Sequence, residues 1–409
     1  MLPTLGLFDP TTRKATGSFS ETQAEMNLIH GILDIPVLKD QFIQFSLAKY
    51  PIVEQHEKSN LICEIMRKLW PDSIGDQQFK LFRKFETFLS AIGKRDHFFH
   101  QFLVYLIGMN IISLTLKNFP NESEKENIFG FKKDEDIYKT WLMTSTCHDF
   151  GYPYHAATKI ANYLSDLYAE TNLNYVSSRL HISDNKNDLE LEHKLSLIEI
   201  DNTDSAEEKN LNVTTFLNKL MEEYLEEETS KIDELQKSFS QEKDHGYISS
   251  LLLCKTVVES YIKTAPWPSF KKGNYYKSLK LSMGAIALHN IRDKKLQEKI
   301  TANRNIYAFL LFIVDNIQDW YRSFTTSPKY PAYKFVGFEK CHDSGKIYID
   351  YLLTSDSWSE EMHNNILNEI ALRKTTINNP KNETKLGVTI SIRYYLLKKD
   401  KPIEIKCSF

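Results

Sequence analysis

The stretch RDHFFHQFLVYLIGMNIISLTLK, Arg95 to Lys117, decides the reading of the fold. Phe98, Phe102, Tyr105, Leu106, Met109 and Ile112 recur there at three- and four-residue steps, the spacing that puts apolar side chains on one buried face of a helix. The stretch has no proline and one glycine, so nothing in it breaks a helix. Similar spacing predicts helices through Tyr138–Cys147, Tyr247–Ile262, Leu279–Leu288 and Asn305–Phe324. With only 14 glycines and 13 prolines in 409 residues, the chain is expected to be mainly α, its bulk a helical bundle.

The character changes after Ser327. Pro328 and Pro331 break the helical pattern, and an alternation of aromatic and β-branched residues begins with Tyr333, Phe335 and Gly337. Lys346–Leu353 reads as a strand and Ser359–Thr375 as an amphipathic helix. Leu386–Leu397 reads as a long strand with Val388, Ile390 and Ile392 on one face, and Ile403–Cys407 as a further strand. The expected organisation is an N-terminal helical region at 1–94, a helical core at 95–326 and a small C-terminal α+β module at 327–409. Within the core, about 184–243 turns charged and polar, with Glu222, Glu223, Glu226, Glu227 and Glu228 close together. Leu217, Leu220, Met221, Tyr224 and Leu225 still keep a helical stripe there, which predicts a solvated helical insertion, either a lid or a surface decoration.

Hydrophobic residues at 42% and aromatics at 12% exclude a disordered or collagen-like chain. Lys+Arg 51 against Asp+Glu 54 leaves a net charge of -3, so there is no global pull toward nucleic acid or anionic lipid, and any anion site must be local. The 5 cysteines are widely spaced without a Cys-x-x-Cys pair, the usage of a reducing compartment. Met1 to Phe19 lacks a basic start followed by an apolar run, and apolar runs such as Ala308–Val314 fall short of the roughly 20 residues that cross a bilayer. The expected setting is soluble and cytoplasmic, with no membrane partner.

The informative residues are histidines and aspartates inside apolar helices, where such groups are costly unless paired or ligated. His100 follows Phe98 and Phe99, and His148-Asp149 closes the run Trp141–Cys147 just before Gly151 and Pro153. His289 ends Met283–Leu288, Asp315 follows seven consecutive apolar residues, and His245 stands in Asp244-His-Gly246. A second His-Asp pair, His342-Asp343, lies among turn residues and serves as an internal control. Any one such histidine reads first as a hydrogen-bonded core imidazole; the set points instead to a metal. Imidazole nitrogen with carboxylate oxygen suits Zn, Fe, Mn, Mg or Co, and Cys147 would point away from His148 on a helix and is read as core. Such a site with room for water is built for hydrolysis of a phosphate ester or anhydride.

The ordered set Arg95-Asp-His-Phe-Phe-His100-Gln, His148-Asp-Phe-Gly-Tyr-Pro153, Asp244-His-Gly246, Ala287-Leu-His289 and Val314-Asp-x-x-Gln-Asp-Trp320 resembles the HD-domain metal-dependent phosphohydrolase superfamily over roughly Arg95 to Arg322. The resemblance implies an HD-type helical bundle in which His100, His148, Asp149 and Asp315 bind one ion. His100 is favoured over His97 because Gln101 and Val104 match the flanks of the family's first histidine. His245 and His289 fall where members with a second ion place extra ligands, with Asp149 as the bridge; in single-ion members these histidines serve substrate or proton transfer. One or two divalent ions are therefore implied, with Asp149, His245 and His289 as the catalytic groups. Arg95, His97, Tyr152, Lys159 and Arg322 are candidates to meet substrate, the cations through phosphate oxygens and Tyr152 through a base or sugar. His155 and His181 are weaker candidates.

The expected function is a metal-dependent phosphohydrolase, a phosphatase or phosphodiesterase acting through metal-activated water, with a phosphorylated small molecule, by analogy a nucleotide, as substrate. Tyr152 stands where many triphosphate-cleaving relatives carry another histidine, and the Gly-Tyr-Pro of cyclic-dinucleotide esterases occurs here in a different place. The alternatives are an HD-type single-strand nuclease, for which Lys271, Lys272, Tyr275 and Tyr276 would form a basic aromatic strip, and a non-catalytic nucleotide-sensing module. Gly273 does not belong to a phosphate loop, because no strand-loop-helix frame surrounds it. The sequence leaves a homo-oligomer open.

Overall fold

The computed structural model describes residues 20–70, 97–152, 197–199, 210–228, 230–235, 244–262, 266–291, 293–318, 332–354, 360–378, 380, 385–396 and 402–409. Among these, α1 is Glu21–His30, α2 Gln41–Lys49, α3 Gln55–Leu69, α4 His97–Asn118, α5 Glu122–Phe129 and α6 Asp134–Cys147. A short hairpin of β1 (Leu197–Glu199) and β2 (Asn210–Asn212) leads into α7 (Val213–Leu225). There follow α8 (His245–Ile262), α9 (Trp267–Lys272), α10 (Asn274–Leu288), α11 (Lys294–Gln297) and α12 (Ala302–Ile317). The C-terminal part is β3 (Ala332–Cys341), β4 (Lys346–Thr354), α13 (Glu360–Ile377), β5 (Thr389–Leu396) and β6 (Ile403–Ser408). The described residues are thus mostly helical with a small C-terminal sheet. The domain boundaries read near 95 and 327 lie outside the described residues.

The bundle is α4, α6, α8, α10 and α12, in which α6 packs on both α4 and α10, and α10 also packs on α8 and α12. Between α4 and α6, Gly108 lies against Trp141, whose indole Nε1 donates to the Tyr105 carbonyl at 3.0 Å. Phe99–Asn118 of α4 is long and apolar enough to span a bilayer, but 94% of its most hydrophobic window is buried inside the protein, as a core helix requires. Helix starts follow their caps: Ser20 accepts from Gln23 N, Asp40 from Phe42 N and Ile43 N, and Asn212 from Thr215 N. Within α12, Asn305 leaves helical geometry (φ -154, ψ 99), and its Oδ1 accepts from Tyr307 N and Ala308 N. Asn305 is therefore an internal N-cap, and the regular turns begin at Ile306.

The fifth predicted helix was expected to run to Phe324 but ends at Ile317, with Gln318 extended (φ -82, ψ 98). Tyr351 OH donates to the Ile317 carbonyl at 2.5 Å, and the Gln318 amide is engaged by His100, so both groups at this end have partners outside the helix. In the acidic segment, α7 buries Val213, Leu217, Leu220, Met221, Tyr224 and Leu225 against α10, with Tyr224 in contact with Gly284. The apolar stripe read there is a docking face.

The sheet order is β3-β4-β5-β6, antiparallel except for the central β4–β5 pair, which is parallel and crosses over through α13. Ile347, Ile349 and Tyr351 of β4 and Ile390, Ile392 and Tyr394 of β5 alternate into the core, and Phe409 packs edge-on against Phe309 of α12.

Candidate metal centre

The candidate ligands sit at helix ends that converge. His148 and His289 are the C-cap residues of α6 and α10. Each turns its Nδ1 back to the carbonyl three residues earlier, His148 to Ser145 at 2.7 Å and His289 to Ile286 at 2.6 Å, so the imidazole satisfies a carbonyl that the ending helix leaves free. His100 lies in the first turn of α4 with Nδ1 against Gln318 Oε1. Because each of these Nδ1 atoms faces an oxygen acceptor, it carries the proton, and the Nε2 lone pair is left to point into the cluster. His245 opens α8, and Asp315 lies in the last turn of α12. Asp149 follows His148, and the turn after it is stitched to α8 by Gly151 N donating to Ser249 Oγ at 2.7 Å.

His100 Nε2 is 3.1 Å from His148 Nε2, 2.7 Å from Asp315 Oδ1 and 3.7 Å from Asp149 Oδ2. His148 Nε2 is 3.5 Å from Asp149 Oδ2 and 3.8 Å from Asp315 Oδ1. The other Asp149 oxygen, Oδ1, faces His245 Nε2 at 3.4 Å. The His289 ring lies 5.2 Å from the rings of both His148 and His245. Two groups result, His100–His148–Asp149 and Asp149–His245–His289, each with ligand atoms within 4.8 Å of one another and with Asp149 in common.

This arrangement fits a cation. Ligand atoms held about 2.1 Å from one ion lie about 3 Å apart when adjacent and about 4.2 Å apart when opposite, and the first group falls in that range. Lone pairs of His100 and His148 converge with carboxylate oxygens, and among the described residues the buried His289 Nε2 meets no hydrogen-bond partner. Burial lowers the pKa of His148 despite the nearby Asp149 and Asp315, and it pushes His245 down to about 4. Neutral imidazoles beside ionised carboxylates are the ligand-competent state. Buried His/Asp groups of this kind could hold a metal ion.

The structure thus brings together His100, His148, Asp149, Asp315, His245 and His289. Tyr152 meets His245 edge-on, with ring centroids 5.5 Å apart. His97 begins α4, and its side chain is outside the described residues, as are Arg95, Lys159, Arg322, His155 and His181 in full. Cys147 is buried, with burial pushing its thiol pKa up, as a core residue. The control pair behaves differently: His342 is an exposed turn residue that accepts from Lys117 Nζ at 2.7 Å. Tyr275 stacks on Tyr261 and Tyr276 on Phe216, so these ring faces are engaged within the protein. Gln318 is the site residue whose role sequence reasoning missed; its only signal was its place three residues after Asp315. Compared with protein-family models, curated proteins and solved structures, the chain matches none.

Proposed function

We propose that this chain is a metal-dependent phosphohydrolase of HD type, cleaving a phosphate ester or anhydride of a small molecule, with nucleotides as the substrate class suggested by the sequence resemblance. The observation that carries the reading is the Asp149 carboxylate, whose Oδ2 faces His100 and His148 while Oδ1 faces His245. A carboxylate flanked on both sides by imidazoles is the donor set of a two-ion centre.

His100, His148, Asp149 and Asp315 would hold the first ion; Asp149, His245 and His289 would hold the second. The chemistry a divalent ion supplies in such a place is to make a bound water acidic near neutral pH and to take up charge developing on a phosphoryl oxygen. The chain's own residues supply the frame. Gln318 and the Ser145 and Ile286 carbonyls fix which nitrogen of each ring is free. The side chains of Asp315 and His245 are the more open ones, 21% and 17% exposed against 2% for His100 and Asp149, so substrate would approach between α12 and the start of α8.

The test is a panel of nucleotides and cyclic nucleotides with Mn, Mg, Co, Fe and Zn added singly. The expected result is phosphate release or ester cleavage with at least one ion, lost by more than about a hundredfold in Asp149→Ala together with bound metal. Full activity of metal-free Asp149→Ala would reject the proposal, as would absence of both metal binding and turnover in the wild type.

A further inference from the structure

We infer that Asp244 and Asn290 are positioning residues that clamp His245 to His289, so that the second half of the metal centre takes shape only while their side chains are joined. The inference rests on the two-ion reading above and adds what holds the second pair of histidines in place.

Asp244 immediately precedes His245, and Asn290 immediately follows His289. Asp244 Oδ2 accepts from Asn290 Nδ2 at 2.6 Å, joining the start of α8 to the end of α10 across 46 residues of chain. The other oxygen, Oδ1, caps α8 by accepting from Gly246 N at 2.9 Å and Tyr247 N at 3.0 Å. One carboxylate, only 7% exposed, therefore grips the backbone beside one histidine and the side chain beside the other. Three hydrogen bonds thus converge on this one side chain.

The two helix ends meet without slack. A Cβ on Gly246 would stand 2.7 Å from the Ile286 carbonyl oxygen and 2.8 Å from His289 Cε1, so only glycine lets α8 approach that closely. His289 is oriented by its own helix through Ile286, which sets the ring relative to α10 but not relative to α8. The distance from His289 to His245 depends on how α8 and α10 abut, and the Asp244–Asn290 bond lies at that junction. The first pair, His100 on α4 and His148 at the end of α6, does not use it.

Two single variants and an exchange separate this role from general stability. Asn290→Ala leaves the cap on Gly246 and Tyr247 intact. Asn290→Asp keeps the side-chain shape but sets one acceptor-only carboxylate against another. Asp244→Asn combined with Asn290→Asp swaps donor and acceptor and remakes the bond. Each full-length protein is stripped, titrated with Mn, and read by elemental analysis for ions per chain and by electron paramagnetic resonance for coupling between two Mn ions. The wild type is expected to take two ions, each single variant to keep one and bind the other about tenfold or more weakly, and the exchange to recover the second. If one single variant fails to fold, the other and the exchange give the same reading. Two ions at wild-type affinity in Asn290→Ala, or no recovery in a folded exchange protein, would overturn the clamp and leave the proposed function standing. Fewer than two ions in the wild type would overturn the two-ion reading and the clamp with it.

Discussion

Replacing Gly108 by alanine tests whether the approach of α4 to α6 sets both the core and the site. A Cβ at Gly108 would lie 1.9 Å from Trp141 Cζ2, 2.1 Å from Cε2 and 2.6 Å from Nε1, where ordinary contact is 3.4–4 Å. The indole would have to retreat by roughly 1.5 Å, yet it is fully buried and held by its hydrogen bond to the Tyr105 carbonyl. The alternative is for the two helices to part. Overpacking costs about 1–3 kcal/mol and a weakened buried hydrogen bond about 1 kcal/mol, so Gly108→Ala should lose about 2–4 kcal/mol. Because α4 carries His100 and α6 ends at His148, a shift of that size would also widen the 3.1 Å separation of their Nε2 atoms and weaken metal binding. The assays are urea unfolding of the stripped protein and Mn titration of the folded one. Gly273→Ala is the control: its nearest atom would be 3.5 Å away and its φ of -87 suits alanine, so it should stay within about 0.5 kcal/mol of wild type. Gly108→Ala with wild-type stability would refute the packing argument.

Asn305→Ala removes an internal cap and the Nδ2 bond to the Leu281 carbonyl at 2.9 Å; it should cost about 1–2 kcal/mol in chemical unfolding, and a neutral result would mean that α12 does not depend on that break. Asp350→Asn takes the carboxylate from Arg393, which holds it at 2.5 and 2.8 Å in the sheet, and should cost about 1.5–3 kcal/mol in chemical unfolding because two charge-assisted hydrogen bonds are weakened. Lys340 donates to the Gly31 carbonyl and Ser113 Oγ, and burial, with Lys117 adding, lowers its pKa from 10.5 to about 8. A lysine whose folded pKa is depressed gives up its proton in the folded state first, so stability should rise with pH between about 8 and 10.5, by about 2 kcal/mol after allowance for partial exposure. That rise, measured relative to Lys340→Met, should be absent from the variant; parallel pH profiles would contradict the assignment. Added Mn at about a hundred times its dissociation constant should stabilise the wild type by about 2.7 kcal/mol and leave Asp149→Ala unmoved in differential scanning calorimetry.

Much of the fold was legible because helices and strands write their period locally. The apolar steps after Phe98 marked α4, the alternation of Val388, Ile390 and Ile392 marked the β5 face, and Asn305 at the head of an apolar run marked where regular turns of α12 begin. The candidate ligands were legible for a related reason: a histidine or aspartate inside an apolar run is conspicuous without any knowledge of its neighbours. Periodicity did not reveal where α12 stops, since Ile317 and Gln318 end the helix through Tyr351 and His100, residues 34 and 218 positions away. Nor did it reveal that Asp149 turns one oxygen to His100 and His148 and the other to His245, or that Asp244 reaches Asn290. Composition and spacing by themselves determined which residues lie on buried faces and which of those are chemically costly. Which costly groups share one volume, and with which atoms facing inward, was decided only by the packing of α4, α6, α8, α10 and α12, because that depends on contacts between segments far apart in the chain that leave no local trace in it.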